Sequence, residues 1–315
     1  MSTPAGTTTS RLTALDDTSA AAIASALRAA RKEAGSPAMG MVLTLVVVVP
    51  EADAERALEC ARRASLAHPA RVLAIVEGAR RGHGRVDARV GVGDGWSGEI
   101  AILTLHGEVV DHADSLVLPL LLPDSPVAVW WPTRTPEDPA SDPVGRLAGR
   151  RITDVLAAPR GRRTLLERVA THYAPGNTDL SWARITSWRA VLAAALDQAP
   201  GAVRGGHVVA ERVSPGADLL VAWLSARLGV EIDRRTSSGP GVTEVCLDTA
   251  SGPLVLARTD GRLATLTIPG RGERRLALPR REVPDLLMEE LRRLDEDEIF
   301  AEVSARIADD AGGAA

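Results

Sequence analysis

Lysine is nearly absent from this chain, and its scarcity excludes two kinds of catalytic site. Lys32 is the single lysine among the 37 basic residues of the 315-residue sequence. A P-loop that binds phosphate needs a lysine directly after its glycines, and an enzyme that forms a Schiff base needs a desolvated lysine. Lys32 falls at the end of a predicted amphipathic helix, where it serves neither chemistry.

Cysteine is also scarce, which excludes a four-ligand cysteine cluster for zinc. Cys60 and Cys246 are the two cysteines of the sequence, and they fall in different predicted domains. We expect both thiols to be reduced and structural, which is consistent with a cytoplasmic protein.

Long apolar runs and strong charge imbalance are missing as well. The longest apolar run, residues 42–49, is far shorter than the ~20 residues that cross a bilayer. A net charge of -4 does not indicate a nucleic-acid or membrane partner. Residues 1–17 have no basic region followed by an apolar stretch, and their composition predicts a disordered leader.

The length and the hydrophobic pattern predict two α/β domains. A chain of 315 residues exceeds what one hydrophobic core usually organises. After the leader, we expect an N-terminal domain over 18–172, which ends in an arginine-rich connector, and a C-terminal domain over 173–315. In each half a strand, a helix and a second strand are followed by short strands with turn signals between them. Each domain is therefore predicted to hold a mixed sheet, with a βαβ unit followed by antiparallel strands.

One glycine-rich segment has the form of a nucleotide-binding motif. Residues 93–98 read G-x-G-x-x-G, but the dinucleotide fingerprint requires a helix after these glycines. Residues 99–105 are interpreted instead as an alternating strand. The segment is therefore predicted to be a hairpin loop, and no nucleotide cofactor is expected.

Clustered histidines and carboxylates follow in the next segment. His106, Glu108, Asp111, His112 and Asp114 have the chemistry of a metal or acid-base site. The apolar spacing from residue 109 to 121 predicts a helix, which Pro119 kinks or ends. Because His106 and Asp111 are expected on different elements or faces, we predict no metal here. Catalysis, surface hydrogen bonding and contact with a partner protein stay open.

Tryptophan and arginine mark two further segments. Trp130 and Trp131 are predicted to lie on a strand, which would turn one into the core and leave the other as an exposed anchor. Residues 146–168 hold seven arginines, including Arg150 and Arg151. They predict either a solvated connector or a surface for an anionic partner. Trp182 stands at helical spacing from later apolar residues, which favours core packing.

Six tracts along the chain carry a family resemblance. They read RVLAIV, GEVVDHADSLVLPLLLPDSPVAVWWP, DPVGRLAGRRITD, GNTDLSWARITSWRAVLAAALDQ, SPGADLLVAWLSARL and ALPRREVPDLLMEELRRLDEDEIFAE. These tracts resemble the OpcA family of glucose-6-phosphate dehydrogenase assembly proteins, in its high-GC Gram-positive form. The resemblance runs in the same order from about residue 40 to residue 307. It implies a non-catalytic bacterial protein, without metal or cofactor, that binds glucose-6-phosphate dehydrogenase. The family's role is to promote the oligomeric assembly or activity of that enzyme in the oxidative pentose phosphate pathway.

Nine residues are candidates for contact with the dehydrogenase, since no complete set of nucleophile, base and orienting group is evident in the sequence. They are His112, Asp114, Trp130, Trp131, Arg150, Arg151, Asp179, Trp182 and Arg184. The alternative function is an enzyme or sensor that binds a sugar phosphate or a nucleotide. That function would use the arginine-rich segment and the Asp111-His112 cluster.

Overall fold

A computed structural model describes residues 12–35, 40–93, 95–199, 201–258 and 260–313. The chain divides into two compact units. The first comprises Met1–Arg134, Ser141–Arg151 and Leu291–Leu294, and the second comprises Thr135–Ala140, Ile152–Glu290 and Asp295–Ala315. Every helix in the described part of the chain is too short or too polar to cross a lipid bilayer.

The first unit is built on a mixed sheet whose central strands are parallel. Its strands are β1 (Thr13–Leu15), β2 (Leu43–Pro50), β3 (Ala70–Glu77), β4 (Arg85–Val92), β5 (Gly98–His106) and β6 (Val127–Trp130). They lie in the order β1-β4-β5-β3-β2-β6. Strands β2 and β3 are parallel and buried along almost their whole length, as expected where both faces of a sheet are covered.

The helices of the first unit are α1 (Ala20–Glu33), α2 (Ala54–Ala67) and the short α3 (Ala113–Val117). Helix α1 begins where the Ser19 hydroxyl accepts a hydrogen bond from the Ala22 amide, and it buries Ile23 and Leu27. Helix α2 links the parallel strands β2 and β3, which completes the predicted βαβ unit. Residues 1–11 of the predicted leader lie outside the described residues, and β1 falls in its remainder.

Two local predictions in the first unit have different outcomes. Strands β4 and β5 pair antiparallel on either side of the 93–98 glycine segment, so the predicted hairpin is confirmed, although Asp94 lies outside the described residues. The single helix predicted over 109–121 is wrong. Instead, 3-10 helices over Gly107–His112 and Leu118–Leu120 flank α3. Pro119 has no amide hydrogen, and the chain tightens into a 3-10 turn at this point.

The second unit contains a six-stranded mixed sheet. Its strands are β9 (Val203–Glu211), β10 (Ile232–Ser237), β11 (Val242–Thr249), β12 (Gly252–Arg258), β13 (Leu263–Ile268) and β14 (Gly272–Ala277). The order is β10-β9-β11-β12-β13-β14. Helix α7 (Pro215–Leu228) joins the parallel pair β9 and β10, and the other pairs are antiparallel. The predicted fold class is therefore confirmed in both halves of the chain.

Short elements of the second unit position its polar residues. They are β8 (Asn177–Asp179), α4 (Arg162–Thr171), α5 (Leu180–Arg184), α6 (Thr186–Leu196) and α9 (Glu298–Gly313). Strand β7 (Arg150–Thr153) spans the point where the chain passes from the first unit to the second, and helix α8 (Val283–Arg292) begins in the second unit. The core of the second unit includes Trp182, Trp188 and Phe300, so the predicted core position of Trp182 is confirmed.

Candidate functional site

Asp179 is the centre of a buried polar cluster in the second unit. It is the N-cap of α5, where its Oδ1 accepts a hydrogen bond of 2.8 Å from the Ser181 amide. Its Oδ2 accepts hydrogen bonds from the Thr153 hydroxyl at 2.7 Å and from the Val155 amide at 2.9 Å. The side chain is fully buried. One carboxylate therefore holds together β7, the turn after it and α5.

A bidentate ion pair lies beside this carboxylate. Both terminal nitrogens of Arg184 donate to the Asp154 carboxylate at 2.8 Å, in the parallel geometry that suits a guanidinium. The pair is shielded, since the Asp154 side chain is 4% exposed and that of Arg184 is 22% exposed. Burial, and then the negative charge of Asp154, raise the pKa of Asp179.

Trp182 lies on the same short helix and has three kinds of partner. Its indole nitrogen donates to Asp297 Oδ2 at 2.8 Å, and its ring centroid is 5.6 Å from that of Phe300. The guanidinium carbon of Arg189 lies 3.5 Å from the Trp182 ring centroid, within cation-π range. Burial lowers the pKa of Arg189 to about 10, so it stays charged at neutral pH. These contacts tie α5 and α6 to the start of α9.

The two adjacent tryptophans of the first unit are both in the core. Trp130 is 1% exposed and Trp131 is 2% exposed, so the prediction that one of them is an exposed anchor is wrong. Alternation along a strand does not extend to Trp131, because β6 ends at Trp130. Trp131 instead belongs to the hydrophobic cluster of this unit.

Arg150 and Arg151, in the predicted arginine-rich connector, are also buried. Arg150 is 4% exposed and Arg151 is 9% exposed, and Arg151 donates to the Ala148 carbonyl. These two side chains are part of the folded structure rather than of a solvated surface. Exposed arginines in the same segment include Arg160 and Arg163.

His112 and Asp114, in contrast to the buried tryptophans and arginines, lie at or near the surface. His112 is exposed and Asp114 is half-buried, at the junction of the 3-10 helix and α3. One turn later Leu118 is 58% exposed, although it belongs to an apolar run. We call His112, Asp114, Ser115 and Leu118 the 112–118 surface. Leu118 was not among the candidate residues predicted from the sequence, although it lies off the apolar stripe of that segment.

The histidine and carboxylate cluster does not assemble into a metal site. In the described ranges, no group of three or more histidine, cysteine, aspartate or glutamate side chains has the geometry to hold a metal ion. His106 Nε2 lies 3.4 Å from Asp87 Oδ2, and Asp111 forms an ion pair with Arg80. Each of these two residues therefore has a partner other than His112.

Solved structures resemble this chain only distantly. A 3-ketoreductase from Actinomadura kijaniata, crystallised with NADP and TDP-benzene, is 12% identical with a TM-score of 0.47, covering 84% of this chain and 95% of its own. An oxidoreductase from Sinorhizobium meliloti is also 12% identical, with a TM-score of 0.40 and coverage of 86% and 88%. Superpositions this weak say nothing about the activity of this chain.

Family models give a direct assignment. Residues 61–170 match the N-terminal domain of the glucose-6-phosphate dehydrogenase subunit family, and residues 175–304 match the C-terminal domain of the same family. A comparison with curated protein sequences finds no significant match. The two models follow one another along most of the chain, which therefore belongs to the OpcA family of glucose-6-phosphate dehydrogenase subunits.

Proposed function

We propose that this chain is a non-catalytic partner that binds glucose-6-phosphate dehydrogenase and promotes its oligomeric assembly or activity. The observation that carries the proposal is the match of both halves of the chain to the two domains of one dehydrogenase-subunit family. As an activator, the chain must bind the active state of the enzyme more tightly than the inactive state, because equal affinity shifts no equilibrium.

The buried polar cluster supports a structural role rather than a catalytic one. Asp179 accepts three hydrogen bonds from the protein itself, and Asp154 is held by both terminal nitrogens of Arg184. A catalytic base needs a lone pair directed at a substrate. These carboxylates instead fix the positions of neighbouring elements.

We place the contact with the dehydrogenase on the 112–118 surface. Leu118 offers an exposed apolar side chain, and His112 and Asp114 give it a polar border, which is the arrangement common at protein interfaces. A stable contact buries roughly 1,200–2,000 Å², so further residues of the partner interface must lie around this surface.

The other seven candidate residues take an indirect role in this proposal. They hold the core of each unit in place instead of touching the dehydrogenase. In the first unit these are Trp130, Trp131, Arg150 and Arg151, and in the second they are Asp179, Trp182 and Arg184.

Sedimentation velocity of the chain mixed with the cognate dehydrogenase tests the proposed surface. Leu118→Asp places a charge at the centre of the surface, and we expect it to abolish the complex. Leu66→Asp is a matched control, because Leu66 is also 58% exposed and lies in the same unit on α2. A complex that survives Leu118→Asp, or that both variants destroy equally, contradicts the proposed surface.

The alternative, a sugar-phosphate or nucleotide site built from the arginine-rich segment and the Asp111-His112 cluster, has weaker support. Arg150 and Arg151 are buried, whereas Asp111 and His112 are exposed. Asp111 also pairs with Arg80. The buried arginine pair is therefore poorly accessible to an anion, and the exposed Asp111 carboxylate would repel one.

A further inference from the structure

A cavity of about 200 Å³ in the second unit collects arginine side chains from distant parts of the sequence. It lies at the start of α7, beside the Pro240-Gly241 turn and the end of β12. Four arginines line it, against a single carboxylate from Glu211. They are Arg184, Arg258, Arg280 and Arg281.

Two of these four cations are already neutralised. Arg184 pairs with Asp154, and Arg281 pairs with Glu289. In the described part of the chain, neither Arg258 nor Arg280 has a carboxylate within ion-pair distance. Their positive charges are therefore available to a ligand that enters the cavity.

The hydrogen bonds of Arg258 and Arg280 go to main-chain carbonyls instead. Arg258 Nη2 donates to the Val242 carbonyl at 2.7 Å, and Arg280 Nη2 donates to the Pro240 carbonyl at 3.0 Å. Arg258 Nε is buried and, among the described residues, has no hydrogen-bond partner. A buried donor that is left unpaired destabilises the protein unless something else accepts from it.

An aromatic ring and a second arginine lie near the Arg258 guanidinium. Its guanidinium carbon lies 5.1 Å from the Trp188 ring centroid. Burial, and then the positive charge of Arg280, lower the pKa of Arg258 to about 10. Arg258 therefore stays a cation at neutral pH and is repelled by the Arg280 guanidinium, and an anion between the two would relieve that repulsion.

The start of α7 adds a third source of positive potential. Ser214 and Gly216, at the first turn of this 14-residue helix, line the cavity, and the Ser214 side chain makes no capping hydrogen bond. Helix N-termini favour phosphate groups through the helix dipole and their unpaired amides. In α7 Pro215 has no amide hydrogen and the Ala217 amide donates to the Ser214 carbonyl, so the dipole and the Gly216 amide face the ligand.

The remaining wall of the cavity is apolar and its volume is small. Ile185, Trp188 and Val242 contribute to it. Sites for drug-sized ligands measure roughly 300–1,000 Å³, so this cavity suits a smaller ligand. We propose that this cavity, at Arg258, Arg280 and the first turn of α7, binds the phosphate group of a small organic phosphate monoester.

Glu211 does not cancel this potential. Its Oε1 accepts a hydrogen bond of 2.9 Å from the Gly241 amide, which holds the carboxylate on the turn. In the described part of the chain it is outside ion-pair distance of both arginines. A phosphate dianion in the cavity would be attracted by two arginines and a helix N-terminus and repelled by this one carboxylate.

Isothermal titration calorimetry of the full chain with glycerol 3-phosphate tests the proposal without the dehydrogenase, so its failure is separate from failure of the proposed function. We expect saturable binding that Arg280→Met weakens at least about tenfold, because charge-assisted hydrogen bonds to phosphate are lost. Arg280 is exposed, so this variant is expected to fold. Arg258→Met gives a second test of the site.

Arg271→Met is the matched control, since it removes the same charge at an exposed turn before β14. It should bind as the wild type does. Absence of binding by the wild type, or equal binding by Arg280→Met, overturns the proposal. If succinate binds as tightly as glycerol 3-phosphate, the site does not select phosphate and that part of the proposal is wrong. If inorganic phosphate binds as tightly as glycerol 3-phosphate, the site does not select an organic monoester.

Discussion

The guanidinium of Arg189 lies over the ring of Trp182, with 3.5 Å between the guanidinium carbon and the ring centroid. The indole nitrogen of the same ring donates to Asp297, whose Oδ1 accepts from the Ile299 and Phe300 amides at the start of α9. Trp182 therefore connects a half-buried cation on α6 with the first turn of α9. The stability of the second unit should therefore depend on two features of Trp182, which are its aromatic face toward Arg189 and its hydrogen bond to Asp297.

Replacement of Trp182 by Phe separates these two functions. The smaller ring keeps an aromatic face for Arg189 but removes the donor to Asp297. We expect the free energy of unfolding to fall by about 1–3 kcal/mol, as for a buried acceptor that loses its donor. Urea denaturation measures the change. Trp223→Phe, at a half-buried position on α7, is the control and should cost less. Equal costs for the two variants would argue against the Asp297 bond.

Asp179 predicts a pH dependence of stability. Burial, and then the charge of Asp154, raise its folded-state pKa above the ordinary value of 3.8. The folded state therefore holds this proton more tightly than the unfolded state does. The stabilisation is fully present below pH 3.8 and is lost as pH rises through the folded-state pKa.

Asn at this position does not titrate, so it provides the reference. We expect the free energy of unfolding of the wild type, relative to Asp179→Asn, to decrease as pH rises from 3.8 through the raised pKa. Denaturation at a series of pH values measures this difference. A difference that increases over the same range would mean that the hydrogen bonds from Thr153, Val155 and Ser181 dominate.

Two neighbouring glycines on β9 should respond differently to alanine. A Cβ at Gly206 would lie 2.4 Å from the Cys246 carbonyl oxygen on β11, whereas a Cβ at Gly205 would be 3.6 Å from the Glu231 carbonyl oxygen. The first distance requires a backbone shift and the second is an ordinary contact. Gly206→Ala is expected to cost about 1–3 kcal/mol, as overpacking does. Gly205→Ala should be nearly neutral in the same thermal melt, and the reverse order would contradict the pairing of β9 with β11.

A buried ion pair in the first unit gives a fourth prediction. Arg71 donates to Glu99 at 2.7 Å, and both side chains are shielded, at 9% and 2% exposure. Burial lowers the pKa of Arg71, and the Glu99 carboxylate partly offsets that effect. Glu99→Gln leaves a buried cation without its counter-charge, so we expect a loss of about 3 kcal/mol.

The exposed pair of Arg62 and Glu59 is the control for this measurement. Both residues lie on α2, and Glu59→Gln should leave the denaturation midpoint unchanged. Loss of stability in Glu59→Gln comparable to that in Glu99→Gln would show that burial is not the cause.

Local sequence patterns were sufficient to predict the architecture of both halves. A continuous apolar strand such as β2, followed by a helix with an apolar stripe and a second strand, has one common solution, the right-handed parallel βαβ unit. The 93–98 loop was also predictable, because a strand rather than a helix follows its glycines.

Exposure of individual side chains was harder to predict. Alternation assigns opposite faces to Trp130 and Trp131, but it cannot say that β6 ends between them. Leu118 stands in an apolar run and was not predicted as a contact residue, yet it is 58% exposed.

The arginine cavity illustrates a different limit. Arg184 ends α5, Arg258 ends β12 and Arg280 follows β14, so only the folded topology of the second unit brings them together. The arginine-rich segment over residues 146–168 contains none of these three residues.

Titration of the cognate glucose-6-phosphate dehydrogenase with this protein, followed by the initial rate, tests the central claim most directly. The variant Leu118→Asp and its control Leu66→Asp, both at positions that are 58% exposed, are titrated alongside. The account predicts saturable activation by the wild type and by Leu66→Asp, and none by Leu118→Asp. A flat titration with the wild type would contradict the activator role, and equal activation by all three proteins would contradict the 112–118 surface.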